Sequence, residues 1–250
     1  MKIAISLLVH NDLFYLKPMI ESLFNSDLIQ HEYMLFIVDN NSNQELKKYI
    51  NDLTYNKFCT YNNTNEGIVI PRITNMNKIL EGDYNYTIEI HADMLFPKIW
   101  LTPILDVMNK KSDIAIGMPY ILNNPDILLD VNQLEELVFK HKKNIINENV
   151  RQVHPWVLNN NIIKKIGYYD SIFSPRYCED DDFIYNVIKN GYKTFATKES
   201  IVLHYGGKTQ NFANLPNNLQ HSLNIFQEKN KISIQQLVSM FTLHPTICNY

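Results

Sequence analysis

The sequence predicts an α/β protein with a mostly parallel central sheet flanked by helices, followed by a C-terminal helical tail. Three observations predict this class. Strand-like apolar runs alternate with helix-like patterns through the first half of the 250-residue chain, which is typical of parallel sheets covered by helices. Apolar residues make up 45% of the chain and charged residues 20%, so a sizeable core can form. Polar residues directly follow the apolar runs, as they do at the ligand sites of parallel sheets.

The first half alternates four predicted strands with three predicted helices. The strands cover residues 3–9, 33–38, 58–61 and 86–90, and the first two helices cover 13–24 and 44–53. The third helix extends from the turn Asn65-Glu66-Gly67 to about residue 80. Apolar residues recur at helical spacing in the first helix, and Pro71 fits the third helix only in its first turn.

The second half is less regular. It contains predicted strands over 114–118, 194–196 and 201–204, and predicted helices over 131–145, 162–167 and 180–189. A loop extends from Gly206-Gly207 to about residue 216, and helical patterns follow from 218 to 250. Because neither an internal repeat nor a low-complexity linker is present, the chain is predicted to form one unit.

Composition and charge exclude several classes of protein. The formal net charge is −3 and the pI is near 6.2, so nothing attracts the chain to nucleic acid over long range. Cys59, Cys178 and Cys248 form no C-x-x-C pair, which argues against a disulfide framework or a zinc knuckle. The apolar start is too short for a signal peptide, and no apolar run could span a bilayer. These features predict a cytoplasmic protein, and the tail could add a peripheral membrane contact.

Arginine occurs only at positions 72, 151 and 176, and lysine supplies the remaining positive charge. Codon bias alone can produce such a pattern. Where lysine is the default cation, however, each retained arginine is a candidate for a bidentate contact with an anion.

Polar residues lie at four successive strand ends, which share one edge of a parallel sheet. Turn chemistry alone also selects such residues. Asp39 can accept a hydrogen bond from a base or ribose, or it can cap the next helix. Gly67 permits close backbone approach, while Arg72 can reach a phosphate, hold Asp93 or remain solvated. The candidate ligand-binding residues at this edge are His10, Asn11, Asp39, Asn41, Asn65, Gly67, Arg72, His91 and Ala92.

The segment His91-Ala92-Asp93 suggests a metal site. Alternate residues at a strand end project to the same side, so His91 and Asp93 can address one ion. Imidazole with carboxylate suits Mn²⁺ better than Mg²⁺, which prefers oxygen ligands alone. His204 closes another apolar strand and is followed by Tyr205-Gly206-Gly207-Lys208, where glycines leave room for a metal or a phosphate.

An acidic run, Glu179-Asp180-Asp181-Asp182, is a second candidate centre. Four consecutive carboxylates repel one another unless cations compensate, and Arg176 lies nearby in the sequence. The simpler explanation is an acidic helix start stabilised by the helix dipole. Aromatic neighbours such as Tyr177 and Phe183 argue against a merely solvated charge run.

Taken together, these segments resemble the family-2 glycosyltransferases of the GT-A fold, which has a Rossmann-like central sheet. The resemblance covers about residues 1–210. The most specific part of the resemblance is to the family's signature on the side that binds the acceptor. The matching segments are Gly167-Tyr168-Tyr169-Asp170, Glu179-Asp180-Asp181-Asp182-Phe183, Gly191-Tyr192 and His204. Segment 37–42, Asn65-Glu66-Gly67 with Arg72, and His91-Ala92-Asp93 resemble the nucleotide-contacting and D-x-D segments. This sequence departs from the pattern at His91, where the family has an aspartate.

The resemblance implies an inverting transfer of sugar from a nucleotide-diphosphate sugar, a UDP-sugar in the first place, to a hydroxyl acceptor. It implies Asp180 as catalytic base, with Asp181 and Glu179 as neighbouring candidates, and Asp93, His204 and His91 as the metal group. Trp156 and Tyr177 can stack on an acceptor sugar or simply pack the core. The implied domain covers 1–215, with a nucleotide-binding half 1–95 and an acceptor half 96–215, and 216–250 packs on it.

Two other functions fit parts of the sequence. A sugar-phosphate nucleotidyltransferase would need a glycine-rich basic loop after the first strand, and residues 9–12 lack one. A protein that binds nucleotide or glycan without turnover is favoured by His91, whereas the complete acidic run argues against it.

Overall fold

The computed structural model describes residues 1–123, 128–206, 218–241 and 245–247, and ten strands in these ranges form one sheet. The strands are β1 (Lys2–Val9), β2 (Glu32–Asp39), β3 (Lys57–Tyr61), β4 (Tyr86–Ile90), β5 (Met94–Leu95), β6 (Ile114–Asn123), β7 (Ile146–Glu148), β8 (Trp156–Asn159), β9 (Lys193–His204) and β10 (Thr246–Ile247). The helices are α1 (Leu13–Phe24), α2 (Gln44–Asp52), α3 (Val69–Leu80), α4 (Thr102–Met108), α5 (Val131–His141), α6 (Asn160–Ile166), α7 (Glu179–Lys189), α8 (Leu219–Asn230) and α9 (Ile234–Ser239).

The strand order is β3-β2-β1-β4-β8-β6-β9-β5, with β10 beside β6 and β7 beside β9. Parallel pairing joins β3 to β2, β2 to β1, β1 to β4, and β6 to β9. β8 lies antiparallel between β4 and β6 and so connects the two parallel blocks. The predicted mostly parallel sheet flanked by helices is therefore confirmed.

Burial explains why the predicted first-half elements form. Ile3, Ala4 and Ile5 are all fully buried on β1, which requires cover on both faces of the sheet. Helix α1 buries its apolar residues that recur at helical spacing, which are Leu16, Met19, Ile20 and Leu23. Helix α2 begins where Asn43 Oδ1 accepts a hydrogen bond from the Leu46 N–H at 2.9 Å, which satisfies one free donor of the first turn.

The second half differs from prediction in several places, among them strand β8, which the sequence did not predict. The separate strands predicted over 194–196 and 201–204 are one continuous strand, β9, whose register with β6 shifts between Pro119 and Tyr120. The helix predicted over 131–145 ends at His141. Residues 146–148 form β7, which pairs with residues 195–197 near the start of β9.

The described part of the tail packs against the sheet and α7. Phe226 of α8 and Leu237 of α9 are fully buried, and β10 extends the sheet beside β6. Lys229 lies 2.8 Å from Asp170 and 2.7 Å from Asp182, so an ion pair joins α8 to α7. No helix in the described ranges is both long and apolar enough to cross a membrane.

Candidate active site

Pairing of β5 with β9 brings His204 next to the end of β4. Met94 lies opposite His204 in this antiparallel pair, and the Tyr205 N–H donates to the Asp93 carbonyl oxygen at 2.9 Å. The strand end that carries His91 and Asp93 therefore meets the strand end that carries His204. The sequence separates these residues by more than a hundred positions, yet the sheet places them side by side.

The side chains of His91, Asp93 and His204 form a compact group whose ligand atoms lie within 4.8 Å of one another. His204 Nε2 is 3.3 Å from Asp93 Oδ1 and 3.2 Å from His91 Nδ1. Asp93 is only 1% exposed. Two imidazole nitrogens and a buried carboxylate oxygen are a donor set that suits a borderline divalent ion such as Mn²⁺. The residues present therefore fit a metal ion.

Arg72 lies buried beside this group and makes several polar contacts. Its Nη2 is 2.5 Å from His91 Nε2, and its Nη1 is 3.2 Å from Glu89 Oε1. Nη1 also donates to Tyr169 Oη at 3.1 Å and approaches Asp180 Oδ1 at 3.8 Å. The carboxylates that contact this guanidinium are thus Glu89 and Asp180, which are placed to neutralise it.

Glu89 and His154 are buried polar residues close to the metal group. Burial alone would raise the pKa of Glu89, but Arg72 and His154 bring that pKa below its ordinary value. The Tyr168 hydroxyl also donates to Glu89. His154 is fully buried, with Nε2 3.2 Å from Arg72 Nη1 and Nδ1 3.9 Å from Asp180 Oδ2. This network extends from the metal group to the start of α7.

Three consecutive aspartates at the start of α7 approach three different cations. Asp180 faces Arg72, Asp181 accepts a hydrogen bond from Arg151 Nε at 2.5 Å, and Asp182 binds Lys229 at 2.7 Å. Each cation comes from a different part of the chain. The acidic run is therefore not a solvated face, because each of its three aspartates lies near its own cation within the fold.

Accessibility separates the candidate bases. The Asp180 side chain is 32% exposed, compared with 14% for Asp181 and 5% for Asp182. Glu179 is 6% exposed; burial, followed by the neighbouring Asp180 charge, raises its pKa to about 8. Asp180 also accepts a hydrogen bond from the Tyr169 hydroxyl. Of the four carboxylates, Asp180 is the one that a substrate can reach most easily.

A cavity of about 370 Å³ joins the two centres. Its described walls comprise Ile68, Arg72, His91, Ile121, Asn123, Val153, Arg176, Tyr177, Glu179, Asp180, His204, Gly206 and Thr246. The metal-group histidines and the acidic helix start thus line the same space. Arg176 lies 4.6 Å from the centre of the Tyr177 ring.

Two backbone features place α3 and α7 around this cavity. Gly67 adopts φ +84°, and a Cβ added there would lie 2.5 Å from Pro175. The Ile68 N–H donates to the Pro175 carbonyl oxygen at 2.7 Å. Tyr177 and Cys178, which precede α7, have φ of 79° and 68°, a conformation that is costly for residues other than glycine. The close approach requires a glycine at position 67.

Asn40 connects the other predicted strand ends. Its Nδ2 donates to Asn65 Oδ1 at 2.7 Å and to the Gly67 carbonyl oxygen at 2.8 Å, and its Oδ1 accepts from the Glu66 N–H at 3.0 Å. The Asn40 carbonyl oxygen lies 2.8 Å from His10 Nδ1. The amide side chain of Asn40 thereby connects the end of β2 to the loop after β3, while its main-chain carbonyl oxygen contacts the residue that follows β1.

The remaining predicted site residues lie outside the described walls of the cavity. Asp39 is fully buried and caps the Ser42 N–H at 3.0 Å. Asn11 accepts from the Asn43 N–H at 2.7 Å, Asn41 is exposed with φ 64°, and Ala92 is buried. Asp39, Asn11 and Asn41 thus belong to the strand-end loops next to Asn40, whereas Ala92 lies between His91 and Asp93 of the metal group.

The two predicted aromatic residues have different surroundings. Trp156 is fully buried and stacks on His154, with ring centres 4.1 Å apart, so its ring packs the core and offers no face to a ligand. Tyr177 lines the cavity. Lys208, suggested for the phosphate region, lies outside the described residues.

Sequence reasoning assigned no role to Glu89 or His154, quoted Asn40 and Tyr169 only within the segments that resemble the family, and named Arg151 only as a candidate anion contact. One signal was available: Glu89 stands between Ile88 and Ile90 in an otherwise apolar strand. A buried carboxylate in that position requires a cation or hydrogen-bond donors.

The sequence matches the model of glycosyl transferase family 2 over residues 5–157, which is more than half of the chain. The acidic run lies beyond the matched segment. No curated protein sequence matches this chain.

Solved structures with the same fold include "GalNAc-T7 with UDP, GalNAc and Mn2+", with 14% identity and a TM-score of 0.66 over 96% of this chain and 56% of that one. S. aureus TarS 1–349 aligns with 14% identity and a TM-score of 0.61, over 96% and 70% of the two chains. Longer S. aureus TarS gives 12% identity and 0.63, with 41% of that chain covered. The present chain thus spans little more than half the length of GalNAc-T7. These likenesses establish the GT-A fold, and the family match shows that the chain belongs to glycosyl transferase family 2.

Proposed function

We propose that this glycosyltransferase inverts the anomeric centre as it moves a sugar from a UDP-sugar to a hydroxyl group of a glycan, a lipid-linked molecule or a protein. One observation carries the proposal: His91 and His204 of the metal group share a cavity with Asp180. A single displacement needs a base on one side of the anomeric carbon and charge stabilisation on the other. The two ends of this cavity supply those two requirements.

Asp180 acts as the base. The acceptor oxygen forms a bond to the anomeric carbon while the bond from that carbon to the diphosphate oxygen breaks. The electron pair of the broken bond stays on the diphosphate, and the acceptor proton passes to an Asp180 oxygen. The Tyr169 hydroxyl donates a hydrogen bond to Asp180, and the Arg72 guanidinium lies near the same carboxylate. These contacts orient Asp180 before substrate binds.

Asp93 and His204 would hold the divalent ion, with His91 beside them. A bound divalent ion offsets the negative charge that develops on the leaving diphosphate. Their mixed nitrogen and oxygen donors favour Mn²⁺ over Mg²⁺. The Mn²⁺ and UDP named with the GalNAc-T7 structure support the same choice of ion and donor.

Residues 1–95 are proposed as the nucleotide-binding half, residues 96–215 as the acceptor half, and residues 216–250 as a helical tail packed on the domain. Asp39, at the end of β2, would contact the base or ribose, and Asn40 orders the loops around it. Tyr177 lines the cavity next to Asp180 and would stack on the acceptor sugar.

The test is a panel of UDP- and GDP-sugars, assayed by thermal shift and by donor hydrolysis, with and without Mn²⁺. We expect one UDP-sugar to stabilise the protein in the presence of Mn²⁺ and to be hydrolysed slowly without acceptor, and Asp180→Asn to bind it without turnover. Binding with no hydrolysis and no transfer by the wild-type protein would instead indicate a nucleotide-binding protein without catalytic activity.

A further inference from the structure

We propose that the protein docks on lipid bilayers with anionic headgroups through a surface at the end of α5. This α5 surface consists of the side chains of Phe139, Lys140, Lys142, Lys143, Ile145, Ile146 and Lys198. The inference goes beyond the proposed transfer reaction, because none of these residues belongs to the described walls of the cavity. The α5 surface also lies outside the tail 216–250, where the sequence suggested a membrane contact.

Three large apolar side chains of the α5 surface are exposed to solvent. Phe139 is 89% exposed, more than any other large apolar residue in the described ranges, and Ile145 and Ile146 are 39% and 44% exposed. A single exposed apolar residue is ordinary on a protein surface. Three of them within eight residues form a patch, which favours burial against a partner.

The fold produces this exposure. Helix α5 buries Val138, so the next residue, Phe139, lies on a different face of the helix. Beyond the helix, the Lys143 N–H donates to the Lys198 carbonyl oxygen at 3.2 Å, and the Lys198 N–H donates to the Ile145 carbonyl oxygen at 2.8 Å. Main-chain hydrogen bonds therefore hold the segment after α5 against β9, and the α5 surface is formed before a partner binds.

Four lysines accompany these apolar side chains. Residues 139–147 contain three of them and no acidic residue, although the whole chain has a net charge of −3. Within the described residues, none of the four lysine side chains forms an ion pair. The nearest acidic residues in the sequence are Glu136, Glu148 and Glu199, and Glu148 already pairs with Lys111. The α5 surface is therefore a local basic region on an acidic protein.

His141 shows that three of these charges lie close together. Burial, followed by the charges of Lys140, Lys198 and Lys143, lowers the pKa of His141 below its ordinary value. A neutral imidazole at this position adds no positive charge at neutral pH. The attraction to an anionic surface therefore comes from the lysines.

An anionic bilayer matches both the charge and the apolar character of the α5 surface. Its headgroups attract each nearby lysine, with a gain of about fivefold in affinity per lysine. Aromatic and aliphatic side chains enter the boundary between headgroups and acyl chains, while lysine stems lie along apolar surface and keep the ammonium group in the polar layer. A nucleic acid would attract the lysines in the same way, but it offers no apolar layer for Ile145 and Ile146.

Docking through the α5 surface leaves the cavity uncovered. The N–H of Leu129, just before α5, donates to Tyr205 Oη at 3.1 Å, whereas the segment after α5 contacts Lys198. Helix α5 therefore extends from the active-site end of β9 toward its middle. Lys198 precedes His204 by six residues on β9, which is at most about 20 Å along a strand. The bilayer would thus lie near the active site without covering the described cavity walls.

The first test is co-sedimentation of the full chain with vesicles of phosphatidylcholine alone or of phosphatidylcholine mixed with phosphatidylglycerol. We expect binding to the mixed vesicles only, weakened by added salt because salt screens the lysine charges. No binding to the mixed vesicles, or equal binding to both, would overturn the proposal. Binding to single-stranded RNA or to polyglutamate without binding to vesicles would overturn it in favour of another anionic partner.

The second test compares two pairs of lysines. Lys142→Ser/Lys143→Ser removes two charges from the α5 surface and should weaken binding to the mixed vesicles by about tenfold or more. The matched control is Lys164→Ser/Lys165→Ser, which removes two adjacent exposed lysines of α6 and should weaken binding by less than about threefold. Similar losses in the two variants would show that net charge alone drives binding, and would overturn the proposal.

The third test concerns the exposed aromatic ring. Phe139→Ser should weaken binding to the mixed vesicles by about tenfold, whereas Phe14→Ser, at a residue of α1 that is 64% exposed, should leave it unchanged. Equal effects at the two positions would contradict the proposal. Melting temperatures measured on every variant check that each one is folded.

A fluorescent variant tests whether residue 139 enters the bilayer. Phe139→Trp adds an exposed indole to Trp100 and Trp156, which are both fully buried. We expect its emission to shift to shorter wavelength with the mixed vesicles and to be quenched by brominated acyl chains, and unchanged emission would overturn the proposal. Since these measurements use neither donor nor acceptor, failure of the proposed transferase activity would leave their outcome intact and would be recognised separately.

Discussion

Arg72 and Glu89 form a buried ion pair next to the candidate active site. Arg72 Nη1 lies 3.2 Å from Glu89 Oε1, and the two side chains are 7% and 1% exposed. Arg72 belongs to α3 and Glu89 to β4, so the pair joins a helix to the sheet. Through the same guanidinium the pair also contacts His91 and Asp180. A single interaction thus supports both ends of the cavity.

Removing one member of this pair should destabilise the fold strongly. Glu89→Ala leaves Arg72 charged in a buried setting, and we expect a loss of roughly 3–5 kcal/mol in the free energy of unfolding, measured by urea denaturation. The control is Asp52→Asn, which breaks a surface pair with Lys48 whose side chains are 60% and 77% exposed. That change should cost less than about 1 kcal/mol, and similar losses in the two variants would contradict the expectation.

Substitutions of two neighbouring aspartates of α7, Asp180 and Asp182, should affect turnover and stability differently. Asp180→Asn should lower kcat by about 10²-fold or more, since the proton acceptor is lost, with donor affinity almost unchanged. Asp182→Asn should reduce thermal stability, because it weakens the contact with Lys229, and should affect kcat much less. Turnover and melting temperature measured on both variants check this. Near-normal turnover in Asp180→Asn would exclude it as the base.

Loss of the Asp93 carboxylate should abolish the effect of the metal ion on donor binding. Asp93→Ala removes the oxygen ligand of the metal group, so calorimetry should detect no Mn²⁺-dependent gain in nucleotide affinity. Lys47 lies 3.9 Å from Asp39 in the strand-end loops, and Lys47→Met serves as a control that should keep the Mn²⁺ effect. Unaltered affinity in Asp93→Ala would refute the ligand role.

Glu179 should give stability a distinct pH dependence. Its pKa is raised to about 8 from an ordinary value of 4.5 by burial and by Asp180, so the folded state holds a proton that the unfolded state has lost between these values. The stability from this group is therefore present in full below about pH 4.5 and is lost as pH rises toward 8. Glu179→Gln should remove this loss, and its advantage over wild type should be larger at pH 8 than at pH 5.5, on the order of 2 kcal/mol or more at pH 8. Parallel stability profiles of the two proteins would disprove the assignment.

The Asn40 side chain should be essential for ordering the loop between β3 and α3. Asn40→Ala removes its side-chain contacts with the loop before α3 and should cost roughly 1–3 kcal/mol of stability. It should also weaken nucleotide binding, since the loop between β3 and α3 loses its side-chain contacts with the end of β2. Asn41→Ala, at the exposed neighbouring position, is the matched comparison for thermal shift and calorimetry. Equal effects at both positions would argue against the special role of Asn40.

Periodicity and turn residues predicted most of the first half of the fold, because β1 to β4 are apolar strands bounded by polar turns. β8 was missed because it is short, ends in Asn159 and depends on antiparallel partners, β4 and β6, that are distant in sequence. The predicted grouping of His91 and Asp93 followed from strand alternation alone. Glu89 and His154 could not be linked in the same way, since their contact joins positions 65 residues apart that only the sheet brings together.

The contact of Gly67 with Pro175 has a mechanical consequence. Main-chain atoms connect the start of α3, on the proposed donor side, to the segment that leads into α7, on the proposed acceptor side. Because this contact is made by main-chain atoms, we expect the start of α3 and the segment before α7 to move together as one rigid unit. The spacing between the proposed base, Asp180, and the proposed metal group would then be set by the scaffold before any substrate binds.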